Sequence, residues 1–318
     1  MEPKRLRYSL FIGVLCVFTV FEAHSQSFYR IRRDRTWMFS YGLGSATYYG
    51  DLHEWLDNTP TITRLSYGTG LRKRLSSQFS LRVDLNYYHI RGDDAATWGA
   101  KNPGKKRPSG ARSGLRDSRY RRNLSFLAKN WELSTMIIID LVDIKGTYRG
   151  RYWLRPYLFI GLGLTTNNPK AIHPITGEKV NLRHLNTEAK PEIQPGILVA
   201  FPFGAGVRLK ANEFIDIMLE GGLRYVNNDY LDDVSDVYPT LAALENASRK
   251  RQEDFEKAAI FYNRSGELGL ADAIPGNERG NPEKNDSYLL LQIRLEMYLP
   301  YEWHKRLFKF GKDFWTRN

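Results

Sequence analysis

Cysteine is nearly absent from this chain of 318 residues, and the one present, Cys16, lies inside an apolar run near the N-terminus. Apolar residues continue beyond it, whereas a lipoprotein cysteine would close the run, so lipidation is not expected. Once a leader carrying Cys16 is removed, disulfides and thiol chemistry are excluded. Long apolar runs are scarce too. Residues 10–21 are too few for a spanning helix, and no later stretch of roughly twenty apolar residues follows, which excludes helical membrane spans. The chain has no Gly-x-Ser-x-Gly elbow, no Gly-rich phosphate loop and no EF-hand spacing. Leaving aside His24 of the leader, His89, His173 and His184 are scattered without ligand spacing. Neither a metal nor a cofactor is predicted.

What is present begins with an address. Lys4, Arg5 and Arg7 precede the apolar run, and Ala23-His24-Ser25 offers small residues at the cleavage positions. That is the layout of a secretory signal peptide over 1–25, cut before Gln26. Formal net charge is +12, and the leader contributes only three basic against two acidic residues. The mature chain therefore stays basic. For an exported chain that points to lipid phosphate or an acidic protein partner, not to nucleic acid.

After a basic lead over 26–35 the sequence alternates. From Ile215 to Tyr225 the odd positions are apolar apart from Gly221, while Asp216, Met218, Glu220 and Arg224 fall between them. The run before it does the same, with Ile197, Val199, Phe201 and Phe203 opposite Arg208 and Lys210. A period of two over such lengths predicts β-strands with one apolar and one polar face. Eight such runs fill 36–300. They are separated by short turns and by longer connections at about 50–60, 92–124, 165–196 and 227–286. An even strand count with alternating short and long connections predicts an all-β fold, an eight-stranded antiparallel transmembrane barrel of the outer membrane. Mean hydropathy of −0.48 does not oppose this, because alternation hides the lipid face. A soluble lipocalin-like barrel shares the strand count. It would not require aromatics such as Trp37, Phe39, Phe201, Phe203 and Tyr225 flanking the outward stripe.

The opposite faces predict a charged lumen: Arg64, Arg72, Arg82, Arg155, Arg208, Arg224 and Arg294 beside Asp84, Glu132, Asp140, Asp216, Glu220 and Glu296. An eight-stranded barrel is just wide enough to be filled by side chains. Two readings stand, a salt-bridged plug and a narrow selective pore. A helix is expected from about Thr240 to Tyr262 within the longest connection. The acidic stretch Asp229, Asp232, Asp233 and Asp236 is read as a paired or solvated outer loop, with calcium binding as the alternative. Loop 101–122 carries nine basic residues and one acid, suited to lipopolysaccharide phosphates or to solvent. In the tail over 301–318, Trp303, Leu307, Phe310 and Phe314 recur at helical spacing, with Lys305, Arg306, Lys309 and Lys312 between them. That pattern fits a short amphipathic helix lying on lipid or docking on a periplasmic partner.

Several stretches resemble the PorG family of outer-membrane barrels from the type IX secretion systems of Bacteroidota. They are YYGDL at 48–52, RNLSF at 122–126, RPYLFIGLGL at 155–164 followed by Asn168-Pro169-Lys170, PFGAGV at 202–207, NDYLDDVSDVY at 228–238 and RGNPEKNDSY at 279–288. The resemblance implies a small non-enzymatic barrel associated with the secretion machinery, contacting periplasmic PorK/PorN-like ring proteins. The extended basic tail and the helix in the longest loop depart from the family pattern. A solute channel, or a lipid hydrolase or acyltransferase built on the outer loops, are the other classes the sequence leaves open.

Overall fold

The computed structural model describes residues 34–53, 63–96, 121–144, 147–248, 252–300 and Trp303. The signal peptide, most of the basic loop 101–122, and tail residues Lys305, Arg306, Leu307, Lys309, Phe310, Lys312 and Phe314 lie outside these.

Eight long strands close into an antiparallel barrel: β1 (Trp37–Tyr49), β2 (Arg64–Arg74), β3 (Phe79–Asp93), β4 (Ser125–Asp140), β5 (Leu154–Thr166), β8 (Ile197–Lys210), β9 (Ile215–Val226) and β10 (Ser287–Tyr298). Going round the wall the order is β3-β2-β1-β10-β9-β8-β5-β4, and β3 pairs with β4 to close it. No sheet edge is left among these eight, as a spanning structure requires, because lipid offers backbone groups no partner. No helix among the described residues is long and apolar enough to cross a membrane. The strands do the crossing.

Alternation decides which way each side chain points. Leu43, Leu133, Ile160, Leu219 and Ile293 are about half exposed on the outside, while Arg82, Asp84, Arg208 and Glu296 are fully buried inside. A soluble protein inverts this arrangement. With an apolar exterior and an ionic interior, the fold is a transmembrane barrel of the outer-membrane type.

Three shorter connections, 75–78, 141–153 and 211–214, lie at the end where β1 begins and β10 finishes. The four longer ones emerge at the other end, called the outer end below, and their described residues carry more regular structure than alternation suggested. In the third, β6 (Pro169–Ile172) and β7 (Lys179–Asn181) form a hairpin followed by α1 (Leu182–Leu185). The hairpin hangs on β4, with Pro169 opposite Ala128 and Lys170 opposite Leu127. That stretch of β4 is open because β5 pairs with it only from Glu132 onward.

The helix expected over 240–262 is two helices, α2 (Leu241–Ala247) and α3 (Gln252–Phe261). Thr240 caps the first by accepting from the Ala243 amide at 3.2 Å, which satisfies one orphan N–H of its first turn. At its end the Ser248 hydroxyl donates back to the Leu244 carbonyl at 2.8 Å, a bond that competes with helix continuation.

Candidate functional site: an ion-paired lumen and an outer cap

Every lumen carboxylate has an arginine. Midway down the barrel Arg82 donates to both Glu220 oxygens at 2.6 and 2.8 Å and meets Asp84 at 3.0 Å. Arg294 clamps Asp84 from the other side at 2.9 and 3.0 Å. One layer toward the termini, Arg72 grips Glu296 at 2.9 and 2.6 Å, while Arg208 pairs with Asp140. At that end Asp216 receives Arg151 at 2.9 Å and Arg155 at 2.5 Å. Toward the outer end Glu132 takes Arg224 at 3.4 Å, Tyr288 at 2.5 Å and Asn86 at 3.1 Å.

Glycines make room for these clamps. A Cβ on Gly70 would lie 2.0 Å from an Asp84 oxygen, and one on Gly42 would lie 2.5 Å from Arg294 Cγ. Aromatic and apolar groups fill the remaining space, with Arg208 over the Tyr157 ring at 3.9 Å and Met136, Ile138, Phe159 and Met218 buried as one cluster. Such a lumen is packed, since its arginines are among the largest fully buried side chains of the molecule. Below it, Tyr148 from the turn after β4 folds under the barrel against Met38 and Tyr298. Arg151 lies over the Tyr298 ring at 4.5 Å.

Twelve of the thirteen charged residues expected in the lumen are therefore buried there. Arg64 is the exception, exposed at the first position of β2. Its parity is inward, but opposite Ala46 it stands at the outer rim, beyond the packed layers. Arg151, which precedes β5 and has no strand parity, joins the network instead.

The second charged assembly lies at the outer end, where all four long connections interlock. Arg122 donates to both Asp94 oxygens at 2.8 Å, to the Asp51 carbonyl at 3.0 Å and to the Arg279 carbonyl. Arg279 reaches Glu188 and the Asp233 carbonyl, both at 2.7 Å. Glu188 in turn accepts from the Ser235 amide at 2.9 Å and the Tyr230 hydroxyl at 3.0 Å. Beneath these links, Tyr48, Leu52, Phe126, Leu182, Leu231, Val234, Leu244 and Phe261 belong to one apolar core. The outer loops form a cap whose apolar core continues into the barrel through strand residues such as Tyr88, Ala200 and Leu290.

The acidic stretch does not act as one unit. Asp236 pairs with Lys190. Asp233, at φ 70°, accepts from Thr187 at 2.6 Å, and burial, opposed by Arg279, raises its carboxyl to about 7. Asp232 and Asp229 turn inward toward Asp286 and Asp51. The Tyr48 hydroxyl lies 2.6 Å from both Asp232 Oδ2 and Asp286 Oδ1. Burial, then Asp232 and Asp51, push Asp229 up to about 9. Burial followed by like charge also lifts Asp232 and Asp286 well above the usual carboxylate range. Among the described residues no group of three acids, histidines or cysteines is arranged to hold a metal ion.

Periodicity missed Asp51, Asp94, Arg122, Glu188, Arg279 and Asp286. A position cue was available for three of them. Asp51, Asp94 and Asp286 each stand within two residues of a strand end, all at the rim where the long loops emerge. Of the tail residues singled out, only Trp303 is described, and its ring meets Trp37 edge-on at 5.5 Å.

No family model matches the chain, and no curated protein does. Solved structures do. Neisserial surface protein A is 10% identical with a TM-score of 0.39, covering 83% of this chain and 97% of that one. Ail of Yersinia pestis, solved with the heparin analogue sucrose octasulfate, is 9% identical at TM-score 0.34 over 83% of this chain and all of its own. OprG of Pseudomonas aeruginosa is 9% identical at 0.33, over 84% and 99%. Such likenesses say nothing about ligand or partner.

Proposed function

We propose that this chain is a non-enzymatic, structural component of the outer membrane: an anchor or assembly element of a type IX protein secretion machinery, docking PorK/PorN-like ring proteins from the periplasmic side. The observation that carries the structural part is the lumen, in which each of six carboxylates is ion-paired and the large arginine side chains that pair them are buried. A conducting barrel needs a water-filled path, and this interior offers packed guanidiniums instead. The secretion part rests on the PorG resemblance. In its favour, four of the six segments that carry it supply cap residues: Tyr48, Asp51 and Leu52; Arg122, Leu124 and Phe126; Asp229 to Tyr238; Arg279 and Asp286.

Trp303, the residue from which the basic tail continues in sequence, packs on Trp37, and on this reading that end of the barrel faces the periplasmic partner. Crosslinking and pull-down from native membranes, with a tag inserted in the 101–119 loop, tests the assignment. Periplasmic ring proteins should be recovered and then lost on deleting 301–318. Alanine at Lys305, Arg306, Lys309 and Lys312 should weaken that capture without unfolding the barrel. Recovery of the barrel alone would overturn the secretion role. Conductance in planar bilayers would instead favour a solute channel, and turnover of lipid substrates an outer-loop hydrolase or acyltransferase.

A further inference from the structure

From hydrogen-bond counting in the cap, we infer that Asp229, Asp232 and Asp286 form a proton-holding cluster that keeps the outer cap closed and loosens it when the protons leave. This stands independently of the secretion reading. The Tyr48 hydroxyl has one proton and two carboxyl contacts, Asp232 Oδ2 and Asp286 Oδ1, each at 2.6 Å. It donates to one of them. The other contact is a hydrogen bond only if that carboxyl carries a proton and donates to the phenol oxygen.

The outer oxygens of both acids are already used, Asp232 Oδ1 by the Val234 amide at 2.9 Å and Asp286 Oδ2 by the Leu231 amide at 2.9 Å. Asp229 supplies an independent observation. It is 6% exposed, and neither of its oxygens has a hydrogen-bond partner. Ser235 lies close enough to favour its anion but makes no bond of normal geometry. An ionised carboxylate so placed is costly, whereas a neutral acid is tolerated.

The surroundings reinforce this. Around the trio stand Tyr48 from β1 and Asp51 from the turn after it, whose Oδ2 already accepts the Asn281 amide at 2.9 Å. Glu188 faces Asp229 from the third connection. Arg264 and Arg279 line a small cavity that Asp232 also borders. Those arginines are committed elsewhere, Arg264 to Glu267 at 2.7 Å and Arg279 to Glu188. Arg122 and Asp94 serve each other, and Asp233 is held by Thr187. Among the described residues no lysine or arginine forms an ion pair with Asp229, Asp232 or Asp286.

The sign follows from linkage. A carboxyl that stays protonated in the closed cap stabilises it fully below its ordinary value, and that stabilisation is lost as pH rises toward the closed-state value. For Asp229 the window runs up to about 9. Within it each ionised group raises the open-to-closed ratio about tenfold per pH unit.

The test uses the full chain, folded in detergent micelles. Infrared difference spectra between about pH 6 and about pH 10 should show a protonated-carboxyl C=O band that disappears on the alkaline side. The band should diminish in Asp229→Asn and in Asp286→Asn and persist in Asp236→Asn, whose carboxylate is paired with Lys190. Hydrogen exchange of the cap amides, corrected for its intrinsic pH dependence, should rise steeply over the same interval in the wild type and less steeply in Asp229→Asn, where two of the three acids remain. Tyr48→Phe, the second variant, should keep the barrel's heat-modifiable gel mobility yet shift the alkaline transition. Absence of the band in the folded wild type overturns the inference, whatever the variants do. So does cap protection that a chelator removes and calcium restores at constant pH, because a cation, not protons, would then neutralise the cluster.

Discussion

The lumen and the cap bury charge by opposite means. In the lumen, opposite signs alternate across the barrel, so Glu220 meets Arg82 and Glu296 meets Arg72. In the cap, the arginines Arg122 and Arg279 are used to tie loops together, and a group of like-charged acids is left facing one tyrosine. The first arrangement gives every carboxylate a cation of its own. The second depends on bound protons. One chain thus contains two buried charge assemblies, and the difference lies in where the guanidiniums were placed.

The contrast breaks most severely if a lumen carboxylate is removed. Glu296→Ala strands Arg72 without its bidentate partner, and losing one partner of a buried ion pair costs about 3–5 kcal/mol. Thermal unfolding in micelles should show the barrel itself destabilised. Arg151→Ala should cost less, because Arg155 still pairs with Asp216 at 2.5 Å, whereas Arg64→Ala at the exposed rim should leave the melting temperature unchanged. In the cap the sign reverses. Asp229→Asn should stabilise the closed loops at alkaline pH by roughly 1–3 kcal/mol, the scale of a buried polar group left without a partner. Protease resistance of the outer loops near pH 9 would read this out. Thr187→Val is smaller, about 1 kcal/mol for one lost hydrogen bond. It also pushes the Asp233 carboxyl further above 7, so its cost should grow as the solution becomes more alkaline. Removing Lys257, whose pair with Glu253 at 2.5 Å is open to solvent, should change nothing measurable.

Strand direction was legible because alternation is a local property. Residues such as Asp84, Arg82 and Arg294 declare their side of the wall within five or six positions. Parity misled at Arg64, because it says which way a side chain points and not how deep in the barrel it sits. It was silent on Arg151 and Tyr148, which lie in a turn with no period. The cap was not legible at all in its pairings. Arg279 to Glu188 spans 91 residues and Tyr48 to Asp286 spans 238, and no window along the chain contains both partners. The acidic stretch 229–236 looked like one feature because its members are adjacent, yet the backbone turn at Asp233 sends neighbouring carboxyls to different partners.

The last strand carries half of two central clamps. Arg294 closes on Asp84 across 210 residues, and Glu296 closes on Arg72 across 224. Until β10 is synthesised, Arg72 and Asp84 lack these partners in the lumen. A chain that stops short of residue 294 cannot reach the low-energy interior, however well its first seven barrel strands pair. The packed interior is thereby conditional on the last strand, whose two side chains complete clamps begun on β2 and β3.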